Sequence, residues 1–345
     1  MTKRIGIIGC GKIAQVRHIP ELSEHPEAEI AGYYNPTRYR AEQMASVYGG
    51  RVYDDIGSML GDPSVDAVVV ALANNVHADV SIRAMKAGKD VLCEKPMAVT
   101  LEECEAMMAA REATGRLLLI AQNQRLTAAH QQARDMIASG VIGRPLTFRT
   151  AFGHSGPETW SVNPGKGTWF FNKEHAAMGV MADLGVHKAD LISFLLDRRI
   201  TGVEAMLSTL DKTGPDDSPI SVEDNAICIL RMEGGIFGTM TVSWTYYGQE
   251  DNSTIIYGSE GILRIYDDPA HAIRLIRKDG GMEDFDVEHI QTNDNQTRSG
   301  IADAFITALI TRDGGVLDAG RILPSMKAVF AAVRSSEEGR FIDIF

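Results

Sequence analysis

Hydrophobic positions in the first third of the chain come in short runs, each followed by an amphipathic stretch. Residues 4–8 form a β-rich run that ends at Gly9-Cys10-Gly11, and residues 12–22 have helical character. A second strand is predicted over 28–34 and a helix over 37–48. Residues 65–71 are almost continuously apolar, as expected of a strand covered on both faces. A helix over 77–87, a strand over 89–93, a helix over 101–114 and a strand over 117–121 follow. The helix over 101–114 opens on Thr100-Leu101-Glu102-Glu103, which fits a capping box. Strand and helix alternate throughout, a rhythm that specifies a doubly wound parallel sheet.

The rhythm changes near residue 125. Residues 128–139 are helical. Residues 153–167 are loop-like, broken by Gly156-Pro157 and Pro164-Gly165. A long helix is expected over 177–196. Strands then dominate, over 203–207, 225–232, 238–244, 253–257, 262–266 and 273–277, with Gly234-Gly235 and Gly258-Ser259-Glu260-Gly261 as turns. Residues 211–218 read as an exposed tip, and helices over 301–309 and 325–336 close the chain. Consecutive strands without helices imply a C-terminal α+β domain with a large open, mostly antiparallel sheet. The expected domains are 1–124 and 125–345, with the C-terminal helices able to pack back on the first.

Composition narrows the function. The chain has 345 residues, enough for about two domains. Its net charge is −12, from 46 acidic and 34 basic residues, which speaks against nucleic acid or an anionic membrane as partner. Cys10, Cys93, Cys104 and Cys228 form no C-x-x-C pair and no zinc-like cluster, so reduced thiols and no metal are expected. No apolar stretch approaches the roughly 18 residues that span a bilayer. The apolar run after Lys3-Arg4 is too short for a signal peptide, and a cytoplasmic location is expected.

Gly9-x-Gly11-x-x-Ala14 follows the first strand and opens the first helix. The first glycine allows a tight turn, the second lets the backbone approach a pyrophosphate, and a small third residue lets helix pack on strand. The helix start, with Lys12 and Ile13, presents N–H groups to phosphate. In this β-α-β context the motif predicts a Rossmann dinucleotide site. At the adenosine end, Asn35 stands where NAD sites usually carry an acidic residue. Asn35 can bond a ribose hydroxyl and does not repel a 2′-phosphate. Arg38 reads either as a phosphate contact or, more commonly, as a solvated helix charge, and the same holds for Arg40. NAD is slightly favoured over NADP.

Glu94-Lys95-Pro96 ends a strand of the first domain, and ligands of such sheets bind outside the carboxyl ends of strands. Asp183 and His187 are i and i+4 on one helical face. Together with the glycine turn and Asn74-Asn75-Val76-His77, these motifs resemble the Gfo/Idh/MocA oxidoreductases, named for glucose-fructose oxidoreductase, inositol dehydrogenase and a rhizopine-catabolism protein. The resemblance extends over nearly the whole chain, including Glu223-Asp224-Asn225-Ala226. It implies an NAD(P)-dependent dehydrogenase of sugars, inositols or related polyols. In that reading Lys95 polarises the reacting oxygen, His187 exchanges the hydroxyl proton, and Asp183 positions substrate and tunes the histidine. The chain departs from the family pattern at Leu72-Ala73, at Ala177-Met178-Gly179 and at Asn35.

Around this centre, Ala71, Asn74, His77 and Glu94 are expected to border the cofactor, with His77 shaping the loop. Asn123, Arg125, His154, Trp160 and Trp169 are candidate substrate contacts. Arg125 reads equally as a hinge ion pair, and a tryptophan is more often packing than contact. Two alternatives share the scaffold. One is a glycosidase that uses NAD transiently; the other is a non-catalytic nucleotide-binding regulator, against which Lys95, Asp183 and His187 argue. An open sheet face implies a homodimer or homotetramer.

Overall fold

A computed structural model describes residues 2–287 and 298–344. The chain divides into two compact units, 1–123 with 291–323 and 124–290 with 324–345.

The first unit is built on six strands: β1 (Lys3–Ile8), β2 (Ala28–Tyr34), β3 (Arg51–Val52), β4 (Ala67–Val70), β5 (Asp90–Cys93) and β6 (Leu118–Ile120). Their order is β3-β2-β1-β4-β5-β6, all parallel. Every residue of β4, β5 and β6 is buried, as the unbroken apolar runs require. The Leu101–Thr114 helix has the expected boundaries. Thr100 accepts from the Glu103 N–H, while the Glu103 carboxylate bonds the Val99 N–H, one residue earlier than in a capping box. The first helix begins at Lys12 as expected, but Ala14–His18 wind as a π-type turn before the α-helix Ile19–Glu24. The short β3 and the Ile56–Leu60 helix were not foreseen, because two and five residues carry almost no period. Glu21 accepts from the Ser299 and Ala302 N–H groups, fastening the start of the Ile301–Thr311 helix to this unit.

The second unit carries β7 (Pro145–Gly153), β8 (Ile200–Ser208), β9 (Asn225–Met232), β10 (Phe237–Ser243), β11 (Thr254–Gly258), β12 (Gly261–Asp268), β13 (His271–Arg277), β14 (Met282–Phe285) and β15 (Ile342–Asp343). The order is β14-β13-β12-β11-β7-β10-β9-β8-β15. Among the described strands of this sheet only β7 and β10 pair in parallel. The sequence reading omitted β7, whose mixed Pro-Leu-Thr-Phe-Arg-Thr-Ala-Phe-Gly run hides a strand held by neighbours on both sides. In β9, Ala226, Cys228, Leu230 and Met232 are buried, while Ile227 and Ile229 are exposed. Register places Met206 beside Ile227, and Phe237 opposite Arg231 on the same open face. The long helix expected from residue 177 starts later. Ala177 has φ 63°, a π-type turn spans Met181–Gly185, and the α-helix runs Val186–Leu196.

Candidate functional site

Three loops meet at the carboxyl ends of the neighbouring strands β1, β4 and β5, where the strand order of an open α/β sheet reverses. The first is the glycine turn. Gly9 has φ 105°, and a Cβ there would lie 2.3 Å from the Ala71 carbonyl oxygen, so only glycine fits. At Gly11 a Cβ would meet nothing closer than that same oxygen at 4.0 Å. The turn is therefore closed towards the protein at Gly9 and open at Gly11, the side on which a phosphate needs room. The helix opens at Lys12 and Ile13, followed by buried Ala14, and its first N–H groups have no partner within it.

Asn35 is buried, and both ends of its amide are engaged. Its Oδ1 accepts from the Cys10 N–H at 2.9 Å, and its Nδ2 donates to the Thr37 carbonyl at 2.9 Å. The side chain thus ties the glycine turn to the end of β2. Arg38 is exposed and pairs with Glu42 and Asp54. The charge of Arg40 is felt at the Cys10 thiol, which burial nonetheless pushes up to about 12.

The other two loops are joined by His77. Its Nδ1 lies 2.8 Å from the Pro96 carbonyl oxygen and its Nε2 3.1 Å from that of Leu72. The ring thus bridges the loop after β4, with buried Ala71 and Asn74, to the loop bearing Lys95. Glu94 is buried beneath. His18 Nε2 lies 2.7 Å from its Oε1, Arg17 is 3.6 Å away, and its Oε2 accepts the Lys95 N–H at 3.1 Å. Burial alone would raise the Glu94 carboxyl; the His18 hydrogen bond and the charges of His18, Arg17 and Lys95 outweigh it and hold it at about 2. Glu94 is an ionised anchor for the Lys95 backbone. Arg17 and His18 carried no sequence signal, because their partner Glu94 is distant in the chain, 76 residues from His18.

In the second unit, Asp183 lies in the π-type turn and His187 at the head of the α-helix, both buried. The fully buried Trp244, at the end of β10, donates its indole N–H to Asp183 Oδ2 at 3.0 Å. His154 Nε2 lies 3.8 Å from the same oxygen. His154 Nδ1 accepts the Gly156 N–H at 3.0 Å, so a neutral ring carries its proton on Nε2, towards Asp183. Rings continue outward from there. Phe152 lies 6.1 Å from His187 and 5.9 Å from His154. His154 meets Trp160 edge-on at 6.1 Å, Trp160 meets Phe170 at 5.2 Å, and Trp169 stacks on Phe170 at 4.0 Å. Three residues named from sequence, His154, Trp160 and Trp169, therefore share one aromatic array with His187. Trp244 and Phe152 were missed, since an aromatic residue in or beside a strand looks like ordinary core, and Phe170 because it lies in the short 3₁₀ turn Trp169–Phe171.

The head of this helix is held by Glu223, whose Oε1 accepts the Gly179 and Met181 N–H groups, although burial raises its carboxyl. A Cβ on Gly179 would lie 2.0 Å from the Glu223 carbonyl oxygen, so one glycine is indispensable in Ala177-Met178-Gly179. Arg125 is bidentate to Asp190 at 2.6 Å, with both groups buried and Ser325 donating to the same carboxylate. That geometry matches the ion-pair reading of Arg125. Asn123 begins the short 3₁₀ turn Asn123–Leu126. Among the described residues, no group of His, Cys, Asp and Glu could hold a metal ion. No described helix is long and apolar enough to cross a membrane.

A parallel sheet of this order, with an open glycine turn at its switch point, defines a dinucleotide-binding class of protein. Residues 3–122 match the model of the oxidoreductase family with an NAD-binding Rossmann fold, and residues 130–264 match the GFO/IDH/MocA C-terminal domain. The chain belongs to the Gfo/Idh/MocA oxidoreductase family. It is 31% identical over 263 residues to a 1,5-anhydro-D-fructose reductase of Ensifer adhaerens, covering 75% of this chain and 74% of that one. It is 31% identical over 228 residues to a levoglucosan dehydrogenase of Pseudarthrobacter phenanthrenivorans, a match spanning 61% of this chain but only 57% of the relative. A solved levoglucosan dehydrogenase, in complex with NADH and levoglucosan, shares the fold with a TM-score of 0.88 at 22% identity over the full length of both chains. An aldose-aldose oxidoreductase from Caulobacter crescentus gives 0.84 at 24%, covering 99% of this chain and 100% of that one.

Proposed function

We propose that this oxidoreductase transfers a hydride between a nicotinamide cofactor and a CH–OH or C=O group of a sugar, inositol or related polyol. The observation that carries the reading is the buried Asp183–Trp244–His154 cluster, set in one aromatic array with His187. The nicotinamide, when bound, supplies or accepts the hydride. Gly9, Gly11, Lys12, Ile13 and Ala14 hold the pyrophosphate, while Ala71, Asn74, His77 and Glu94 shape the loops beside the ring. His187 takes the hydroxyl proton in oxidation and returns it in reduction. Lys95, braced through its backbone by Glu94, donates to the reacting oxygen and favours its developing negative charge. Asp183 accepts from substrate and keeps His187 oriented. Asn123, His154, Trp160 and Trp169 line the sugar side, and Arg125 serves as a hinge ion pair. The names of relatives, which act on anhydrosugars and inositols, support this substrate class.

NAD is the favoured cofactor. Asn35 is committed to the turn, and the carboxylates of Glu42 and Asp54 claim Arg38 and disfavour a 2′-phosphate beside it. The NADP alternative rests on Arg40, whose charge is felt at Cys10 in the turn. Fluorescence titration with NADH and NADPH separates the two, and binding of neither would sink the cofactor assignment. The decisive assay screens sugars, inositols and their oxidised forms with both cofactors at the reduced-nicotinamide absorbance. With the substrate so found, Lys95→Met and His187→Ala should each lose at least about 10²-fold in kcat/KM. Activities within a few-fold of the parent protein would refute their roles. A glycosidase using the cofactor transiently would instead cleave its substrate with no net reduced nicotinamide. The expected location is the cytoplasm. The exposed apolar face with Met206, Ile227, Ile229 and Phe237 is proposed to pair in a homodimer or homotetramer. Ile229→Lys should then reduce the mass seen in sedimentation.

A further inference from the structure

Directly after His187, the Val186–Leu196 helix carries a lysine that the proposed chemistry does not use. Lys188 has no exposed surface. Its Nζ donates to the Asn252 carbonyl at 2.9 Å, with the Ser253 carbonyl and Thr254 Oγ1 at 3.5 Å. These acceptors are neutral and lie on the segment that leads into β11. The Ser253 carbonyl also accepts the Ala151 N–H of β7, and Thr254 Oγ1 bonds Thr150 Oγ1 at 2.8 Å. One ammonium therefore closes a polar knot between the helix, β7 and β11. The same Nζ lies 5.7 Å from the centroid of Phe152, the ring that also meets His187 at 6.1 Å and His154 at 5.9 Å. Burying an ammonium against neutral acceptors is costly, and an apolar side chain of equal length would avoid that cost. The arrangement calls for a use of the charge.

We propose that Lys188 is a positioning residue for His187: it locks the helix bearing His187, which follows the turn with Asp183, in register with the strand bearing Phe152, just ahead of His154, and sets a positive charge against the ring on which His187 packs. This rests on the reading of His187 as the proton-exchanging group. The geometry limits the separation of Nζ and the His187 ring to about 12 Å. Within that distance a second positive charge on His187 is disfavoured, against the opposite pull of the Asp183 carboxylate one turn earlier.

Other charges bear on the knot. Glu250 and Asp251, ahead of β11, favour the Lys188 charge and partly offset it. His130, on the Ala128–Ala138 helix, donates Nδ1–H to the Gln124 carbonyl at 2.8 Å, and burial pushes it down to about 3, so it is neutral. Burial also pushes Lys188 itself down to about 7. Its charge is thus fullest below neutrality.

The test is a histidine NMR titration of the whole chain without substrate, with the His187 signal assigned by its loss in His187→Gln. In Lys188→Met the His187 midpoint should rise by on the order of one pH unit. Lys188→Arg keeps a permanent charge, and its His187 midpoint should stay at or below the parent value. A folded Lys188→Met with an unmoved midpoint, or a Lys188→Arg midpoint that rises, overturns the proposal. The Arg variant keeps the test open if the Met variant does not fold. No turnover enters the readout. Failure of His187→Ala to lose activity would refute the catalytic role of His187 and leave this electrostatic result standing or falling by itself.

Discussion

Replacing Glu94 by Gln removes one negative charge, and little volume, from a buried cluster of Arg17, His18 and the Lys95 backbone. The magnitude follows from the displaced titration of Glu94. Its carboxyl is held at about 2 against an ordinary 4.5, and each unit is worth about 1.4 kcal/mol. Ionised Glu94 therefore contributes roughly 3 kcal/mol at pH 7. An independent route agrees, since removing one partner of a buried pair generally costs about 3–5 kcal/mol. The sign is set by a depressed carboxyl. The contribution is complete above about pH 4.5 and is lost as pH falls from there through about 2. Urea unfolding followed by far-ultraviolet circular dichroism should show Glu94→Gln destabilised by roughly 3 kcal/mol at pH 7, with less than half of that gap left near pH 3. Equal stabilities at pH 7, or a gap undiminished at pH 3, would refute the reasoning.

Trp244→Phe removes the indole donor from Asp183, a hydrogen bond to a charged group worth about 1.5–3 kcal/mol. Steady-state kinetics on the identified substrate should show kcat/KM down by about 10-fold or more, and an unchanged value would remove Trp244 from the site. Gly179→Ala drives a Cβ to 2.0 Å from the Glu223 carbonyl, so its thermal midpoint should fall while Ala177→Gly leaves the midpoint unchanged or raised, given the positive φ there. Arg125→Met leaves the Asp190 carboxylate buried without its cation and should cost about 3–5 kcal/mol, much of it recovered by adding Asp190→Leu; calorimetry on the single and double variants measures the recovery. Burial pushes Cys10, Cys104 and Cys228 up to about 12, and Cys93 is also buried and raised. A thiol reagent near pH 8 should therefore label the folded chain slowly and the unfolded chain at once.

Elements set by near neighbours were legible in the chain. The alternating runs of the first third, the Thr100 start of its helix and the glycine turn all depend on residues a few positions apart, where period and capping chemistry act. Lys95, Asp183 and His187 stood out because each lies in a short motif. Pairings over long separations carried no such mark. The partners of Glu94, the indole on Asp183, the bond from Asn35 to Cys10 and the parallel β7–β10 pair each join residues that become neighbours only on folding. Their energies come from desolvation, charge and sterics at the point of contact, so a local pattern cannot encode them. Strand β7 shows this most clearly: its mixed sequence has no strong period, and the strands on either side hold it as a strand. Asn35 shows the same limit, since its place at the end of β2 could be read from the chain while its bonds to the Cys10 N–H and the Thr37 carbonyl could not.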